Sequence, residues 1–179
     1  MSVRRDELAK RVLEAAKACN VTLATAESCT AGAIASTLSA SPPAGDIFHG
    51  GVVAYSKQMK EDMLGVPHDL LRDKGAVCAE VAQAMARGVL ARCSADLAVA
   101  ITGVAGPEPH EDGNPVGLIY CACARRNGEI RSVCLHSRQN GREAILEDGI
   151  CAALGLLLAE CGDRSALSRG QKNPSRKHN

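Results

Sequence analysis

Leu97-Ala98-Val99-Ala100-Ile101 is an unbroken apolar run, and its uniformity limits the architectures open to the rest of the chain. A strand buried on one face alternates apolar and polar residues, whereas a strand covered on both faces has no polar side. We therefore predict a central strand at residues 97–101, packed between two layers of helices. The run continues into Thr102-Gly103-Val104-Ala105-Gly106-Pro107, a loop of small residues suited to the carboxyl edge of a sheet.

Helical and strand patterns flank this central run on both sides. The predicted helices are at 6–19, 31–39, 57–64, 67–75, 79–93 and 142–160. The predicted strands are at 21–24, 50–55, 97–101, 116–124 and 130–136. Asn127-Gly128 is a strong hairpin signal between the last two strands, so the sheet should be mixed. The pattern predicts a single α/β domain at residues 1–163, a three-layer α/β/α sandwich with a sheet of about five strands. We expect residues 164–179 to be a polar, disordered tail.

Composition excludes several classes of function. The 179 residues carry a net charge of +1 and only 2% aromatic residues, which argues against nucleic-acid modules that need a basic surface or stacking rings. No segment has the length of a membrane span or the pattern of a secretory signal, so we expect a cytoplasmic protein without a membrane partner. The nine cysteines are odd in number and lack CxxC spacing, which favours buried thiols over disulfides or a metal site. Whether the chain forms a homo-oligomer is left open.

Residues 25–32, Thr-Ala-Glu-Ser-Cys-Thr-Ala-Gly, lie between a predicted strand and a predicted helix. A serine at this junction holds its hydroxyl at the open edge of the sheet, beside helix N-terminal amides that favour negative charge. Ser28 is therefore a candidate nucleophile next to an oxyanion or phosphate site. The alternative is that Ser28 is a helix cap, a common role for serine, and the segment alone does not decide between the two.

Two further loops are predicted at the same edge: one carries Tyr55, Ser56, Lys57 and Lys60, and the other is 102–106. A serine hydroxyl needs a base to react at neutral pH, and none of these segments contains a histidine. A partly buried lysine can lose its proton near neutrality. Lys60, about one helical turn past Ser56, is a candidate base that can reach back toward Ser28, and Lys57 is a competitor. Either lysine can equally be a solvated surface charge. The chain has neither a G-x-x-x-x-G-K-[ST] nor a G-x-G-x-x-G motif, which argues against triphosphatase and dinucleotide folds.

Several ordered segments together resemble the CinA C-terminal domain family, over roughly residues 5–160. They are Thr25 to Gly32, Gly51-Val52-Val53-Ala54-Tyr55-Ser56 with Lys60, Leu64-Gly65-Val66, Gly75-Ala76-Val77, Thr102 to Pro107 and Pro115-Val116-Gly117. Stand-alone members of the family are nicotinamide-nucleotide amidases, which convert nicotinamide mononucleotide and water to nicotinate mononucleotide and ammonia. The resemblance implies the same three-layer fold and this activity in the pyridine nucleotide cycle.

The resemblance also implies roles for individual residues. Ser28 would be the nucleophile, Lys60 its general base, and Tyr55 would lie close to the pair. The expected substrate-binding residues are Glu27, Cys29, Thr30, Gly32, Thr102, Gly103, Gly106 and Arg142. No metal or organic cofactor is expected, and the partner is a small pyridine mononucleotide.

The sequence departs from the family pattern at Ala31, Cys78, Asn114 and Leu146, where other residues are usual. These changes concern substrate identity and affinity more than the presence of chemistry. Two alternatives therefore stay open: a catalytically weak or inactive nucleotide-binding module of this fold, and an amidase for another small amide.

Overall fold

The computed structural model of the protein describes residues 3–42, 44–126 and 128–169. Its elements follow the predicted order. They are α1 (Val3–Cys19), β1 (Leu23–Glu27), α2 (Ala33–Ser39), a 3-10 turn (Ala44–Asp46), β2 (Phe48–Val53), α3 (Lys57–Leu64), α4 (His68–Lys74), α5 (Ala79–Arg92), β3 (Leu97–Gly103), β4 (Leu118–Arg125), β5 (Ile130–His136) and α6 (Arg142–Arg169).

One mixed sheet of five strands in the order β2-β1-β3-β4-β5 lies at the centre of the molecule. β1 pairs in parallel with both β2 and β3, whereas β4 is antiparallel to β3 and β5 is antiparallel to β4. The apolar run at residues 97–101 therefore forms the middle strand, as predicted. The predicted three-layer α/β/α sandwich with a mixed sheet is confirmed.

The two faces of the sheet differ in the size of their side chains. Larger aliphatic side chains face the layer of α1, α2 and α6, among them Leu97, Val99 and Ile101 of β3. The opposite face, under α5, is formed mainly by alanines. These are Ala24, Ala26, Ala98, Ala100, Ala122 and Ala124. Because alanine side chains are short, α5 lies close to the sheet.

A close contact between α3 and α5 fixes the helix that carries Lys60. A Cβ atom added at Gly88 of α5 would lie 2.0 Å from the carbonyl oxygen of Leu64, the last residue of α3. No other residue can occupy position 88 without moving one of the two helices. The C-terminal end of α3 is thus held against α5 and the sheet.

The strand and helix around Ser28 begin later than predicted. β1 starts at Leu23 because the preceding polar groups bond elsewhere: the Thr22 amide and hydroxyl donate to Asp96 Oδ2. α2 starts at Ala33 because Ala31 and Gly32 have positive φ angles of 49° and 95°, which no α-helix contains. The predicted strand at 50–55 is also displaced, since β2 is Phe48–Val53.

The last helix, α6, extends to Arg169, beyond its predicted end at 160 and into the segment 164–179 predicted to be a disordered tail. The disordered tail at 164–179 stays a prediction. The remainder of the predicted tail, 170–179, lies outside the described residues. So does Asn127 of the predicted hairpin, although its two strands pair as expected.

Candidate active site

Ser28 follows the last residue of β1 directly, at the carboxyl edge of the sheet. Its backbone amide donates to the carbonyl of Ile101 on β3 (3.1 Å), which extends the parallel pairing by one residue. The side chain is 7% exposed. The position predicted for Ser28, at a turn between a strand and a helix, is therefore correct.

Lys60 reaches Ser28 from the first turns of α3. Ser56 caps this helix by accepting from the Met59 amide, as its sequence predicted. The Lys60 side chain is 1% exposed, and its Nζ lies 2.9 Å from Ser28 Oγ. The same Nζ donates to the carbonyl oxygens of Ala54 (2.9 Å) and Tyr55 (3.1 Å). The pair predicted from the sequence is in direct contact.

This arrangement suits an uncharged lysine. A neutral amine has two N–H groups and one lone pair, which match two carbonyl acceptors and one serine hydroxyl. Burial lowers the pKa of Lys60 from its ordinary value of 10.5 to about 8; a charged Cys29 would oppose this, and the positive charge of Lys57 reinforces it. Burial also raises the pKa of the Cys29 thiol to about 11, so Cys29 is uncharged near neutral pH. Lys60 can therefore accept the Ser28 proton near neutrality.

Lys57, the other lysine considered as a base, points elsewhere. Its Nζ lies 2.6 Å from Asp112 Oδ1 and 3.1 Å from Glu111 Oε1. The hydrogen bond that Lys57 donates to Asp112 is the main cause that raises the pKa of Lys57, so this amine stays protonated. Lys57 contributes only its charge to the environment of Lys60.

Glu27 occupies the helix N-terminus that the sequence suggested for an oxyanion or phosphate. Its carboxylate is 1% exposed and accepts from the backbone amides of Gly32, Ile34 and Ala35. The hydroxyl of Thr30 donates to the same group (2.6 Å), as does that of Thr25 (3.4 Å). Glu27, Thr30 and Gly32 were expected to bind substrate, but the Glu27 carboxylate, the Thr30 hydroxyl and the Gly32 amide bond to one another within the turn. The protein's own carboxylate takes the place of an external anion here.

Other amides remain for an oxyanion. In the described part of the chain, the amides of Cys29 and Thr30 donate to no carbonyl or carboxylate oxygen. Both follow Ser28 directly, where the oxygen of an attacked carbonyl would develop charge. The amides of Gly32, Ile34 and Ala35 therefore bind Glu27, whereas those of Cys29 and Thr30 can donate to an oxyanion.

A cavity of about 290 Å³ opens beside Cys29. Gly103 and Gly106, both expected to bind substrate, line it together with Tyr55, which is 59% exposed. Arg142 also lines the cavity at the start of α6, and its Nη1 donates to the carbonyl of Gly106 (2.8 Å). The guanidinium is thus tied to the 103–106 loop through one of its N–H groups.

Thr102, the remaining predicted substrate-binding residue, does not line this cavity. Its hydroxyl is buried and donates to the carbonyl of Ala76 (2.8 Å). Conversely, Glu108, His110 and Glu111 line the cavity and were not predicted to do so. In sequence, the loop that carries them looks like an ordinary polar surface loop. The one signal for a role in the site was that it follows the central strand.

No group of three or more His, Cys, Asp or Glu side chains among the described residues is arranged to hold a metal ion. All nine cysteines are free. In the same residues, no helix has the length and apolar character needed to cross a membrane.

Comparisons with known proteins agree on one family. The family model described as "CinA C-terminal domain" matches residues 5–161. A CinA-like protein of Synechococcus sp. (strain RCC307) is 43% identical over 152 residues, which cover 85% of this chain and 36% of that protein. One of Geobacter sulfurreducens, with the same name, is 49% identical over 108 residues, covering 60% of this chain and 26% of the relative. The chain thus spans only about a third of the length of these curated relatives.

Solved structures match over nearly their whole length. The competence/damage inducible protein CihA of Agrobacterium tumefaciens superimposes with a TM-score of 0.84 at 36% identity, covering 89% of this chain and 98% of that one. A competence-damaged protein (CinA) superfamily protein of Klebsiella pneumoniae gives a TM-score of 0.85 at 34% identity, with the same coverage of 89% and 98%.

Proposed function

The chain belongs to the CinA C-terminal domain family, and from this membership we propose that it is an amidohydrolase that converts nicotinamide mononucleotide and water to nicotinate mononucleotide and ammonia. The observation that carries the proposal is the contact of 2.9 Å between Lys60 Nζ and Ser28 Oγ in a buried setting. A lysine without a carboxylate partner, lowered in pKa and bonded to a serine, is typical of a nucleophile and its base.

The reaction begins when neutral Lys60 takes the proton of the Ser28 hydroxyl while Oγ attacks the carboxamide carbon. The amides of Cys29 and Thr30 stabilise the negative charge that develops on the carboxamide oxygen. Lys60 then gives its proton to the departing nitrogen, the C–N bond breaks, and ammonia leaves an acyl ester on Ser28.

Water completes the cycle. Neutral Lys60 removes a proton from water, the resulting hydroxide attacks the ester carbon, and the ester bond to Ser28 Oγ breaks. The serine oxygen recovers its proton from Lys60, and nicotinate mononucleotide is released. Each step uses only side chains and amides of this chain, so the proposal needs no metal or organic cofactor.

The substrate's phosphate requires a cation, and Arg142 is the residue we assign to it. Arg142 lines the same cavity as Cys29 and the 103–106 loop, and a guanidinium suits phosphate geometry. The nine free thiols are those of a protein kept in a reducing compartment, which supports a place in the cytoplasm.

The test is to incubate the purified protein with nicotinamide mononucleotide and measure ammonia, with Ser28→Ala as the control. We expect release by the wild type and none by a Ser28→Ala protein of unchanged circular dichroism. Other small amides are assayed in parallel. Ammonia released from one of them and not from nicotinamide mononucleotide would make the protein an amidase for another substrate. Ammonia released equally by the folded Ser28→Ala protein would remove Ser28 from the mechanism.

A further inference from the structure

The loop between β3 and β4 separates two hollows in the surface. On one side lies the cavity of about 290 Å³ beside Cys29. On the other lies a larger groove of about 700 Å³, bounded by residues of α3 and α4. Tyr55, His110 and Glu111 line both hollows, so they form the partition between them.

Asp112 attaches this partition to the rest of the molecule. Its Oδ1 accepts from Lys57 Nζ on α3 (2.6 Å), and its Oδ2 accepts from the Ala76 amide in the segment before α5 (2.8 Å). The carbonyl of Ala76 in turn accepts from Thr102 Oγ1 on β3. The Ala76 peptide is thus held on one side by the central strand and on the other by Asp112.

The surroundings of Asp112 leave it little freedom. Its side chain is 18% exposed, and His110 Nδ1 lies 3.0 Å from Oδ2. A Cβ atom added at Gly75 would lie 2.5 Å from Oδ2, so the carboxylate rests directly on the glycine backbone. Burial alone would raise the pKa of Asp112, but hydrogen bonds from Lys57 and the Ala76 amide outweigh it and lower the pKa. Asp112 therefore stays an anion at neutral pH.

We propose that Asp112 is a positioning residue that holds the partition in place at His110 and Glu111 and thereby limits the cavity beside Cys29 to substrates of mononucleotide size. The proposal rests on the function proposed above. Asp112 does not touch the reacting atoms; it acts through Lys57 and Ala76. When it is removed, the partition loses its bond to the Ala76 amide and one of its two bonds to Lys57. The more exposed pair of Glu111 with Lys57 is left to hold it, and the two hollows can merge.

Two amides that differ in size but not in reacting group provide the test. Nicotinamide mononucleotide and nicotinamide adenine dinucleotide carry the same carboxamide on the same pyridinium ring, and only the second extends past a mononucleotide. The size limit predicts that wild-type kcat/KM strongly favours the mononucleotide. In Asp112→Ala we expect KM for the mononucleotide to rise roughly tenfold and kcat to change less than about threefold. The reason is that the lost charge-assisted hydrogen bonds position the partition and do not take part in the reaction.

The ratio of kcat/KM for the dinucleotide to that for the mononucleotide should rise several-fold in the same variant. Asp112→Asn keeps an oxygen for the Ala76 amide but loses the negative charge that faces Lys57, so its KM should fall between those of wild type and Asp112→Ala. Glu80→Ala is the matched control, because Glu80 also pairs with a basic residue, Lys74, on the surface, and neither residue is among those that line the two hollows. It should match wild type for both substrates.

Binding measured by calorimetry in the Ser28→Ala background separates this proposal from the amidase proposal. If the wild type releases no ammonia but Ser28→Ala binds the mononucleotide, and Asp112→Ala relaxes its size preference, the amidase proposal fails and the role of Asp112 stands. If ammonia is released but Asp112→Ala leaves KM and the ratio of the two kcat/KM values unchanged, Asp112 does not position the partition. Binding of neither nucleotide would overturn both proposals.

Discussion

Lys60 Nζ lies 2.9 Å from Ser28 Oγ and makes its other two hydrogen bonds to backbone carbonyls rather than to a carboxylate. A carboxylate partner would hold a lysine in its charged form, whereas carbonyls accept from either form. The contact therefore couples the reactivity of Ser28 to the protonation of one buried amine.

Lys60→Met should lower kcat by orders of magnitude with KM little changed, because the base acts in the transition state. Lys57→Met should lower kcat far less. Steady-state kinetics on nicotinamide mononucleotide at pH 8 measure both effects. A larger loss of kcat in Lys57→Met than in Lys60→Met would show that Lys60 is not the base.

The pH profile should report Lys60 directly. With a pKa of about 8, kcat should rise with pH up to about 8 and then level off. Lys57→Met removes a positive neighbour and leaves Asp112 and Glu111 uncompensated, and both changes raise the pKa of Lys60. Its acidic limb should therefore lie at higher pH than that of the wild type. A shift to lower pH would mean that the limb belongs to another group.

Lys60 should also make stability depend on pH. Its pKa is about 8 in the folded protein against an ordinary value of 10.5, so between these values the unfolded chain binds the additional proton. Wild-type stability should therefore rise with pH across this window, by about 3 kcal/mol in total from this residue. Lys60→Met lacks this component.

Urea unfolding of both proteins from pH 7.5 to 10.5 measures the effect as a difference. Titration of the buried cysteines lowers stability over the same range in both proteins, and it cancels in the comparison. A difference between the two free energies that stays constant with pH would contradict a depressed pKa for Lys60.

Glu27→Gln should destabilise the fold by about 2–4 kcal/mol although the side chains have the same shape. The amide NH₂ would face donors that now bond a carboxylate oxygen, and a buried donor would be left unpaired. Chemical unfolding at pH 7 gives the value. Glu80→Gln, an exposed glutamate paired with Lys74, should stay within about 0.5 kcal/mol of wild type.

Ala31→Gly should stabilise the protein modestly, by up to about 1 kcal/mol. Ala31 has a φ of 49°, a conformation that costs an L-residue energy and a glycine very little. Ala33→Gly, at the first residue of α2, should have the opposite sign because glycine weakens a helix. Destabilisation by both substitutions, measured by thermal unfolding, would mean that the turn gains nothing from glycine.

The sequence predicted the elements whose signals are local. The uniform run at 97–101 predicted the central strand, and Ser56 with the apolar positions of α3 predicted that helix from Lys57 to Leu64. It missed the true extent of β1 because Thr25 and Glu27 are polar. Their place in a buried strand is tolerable only because helix α2 supplies the donors.

The site was harder to predict than the fold. Ser28 and Lys60 are 32 positions apart, and no spacing rule joins the end of β1 to the interior of α3, with α2 and β2 between them. The resemblance to a family supplied the pairing. The role of Glu27 was misjudged for a physical reason: a free helix N-terminus attracts anions, but the anion that fills this one belongs to the chain itself.

The alanine face of the sheet has a consequence for how this sequence can diverge. The aliphatic face can exchange leucine, isoleucine and valine among themselves, because such swaps conserve volume. Under α5 there is no smaller aliphatic to exchange, and any larger one pushes the helix outward. Since Gly88 rests on the Leu64 carbonyl, that displacement is passed to α3 and to the amine of Lys60. Over evolutionary time, the alanines and Gly88, which never touch a substrate, should drift as slowly as the residues that do.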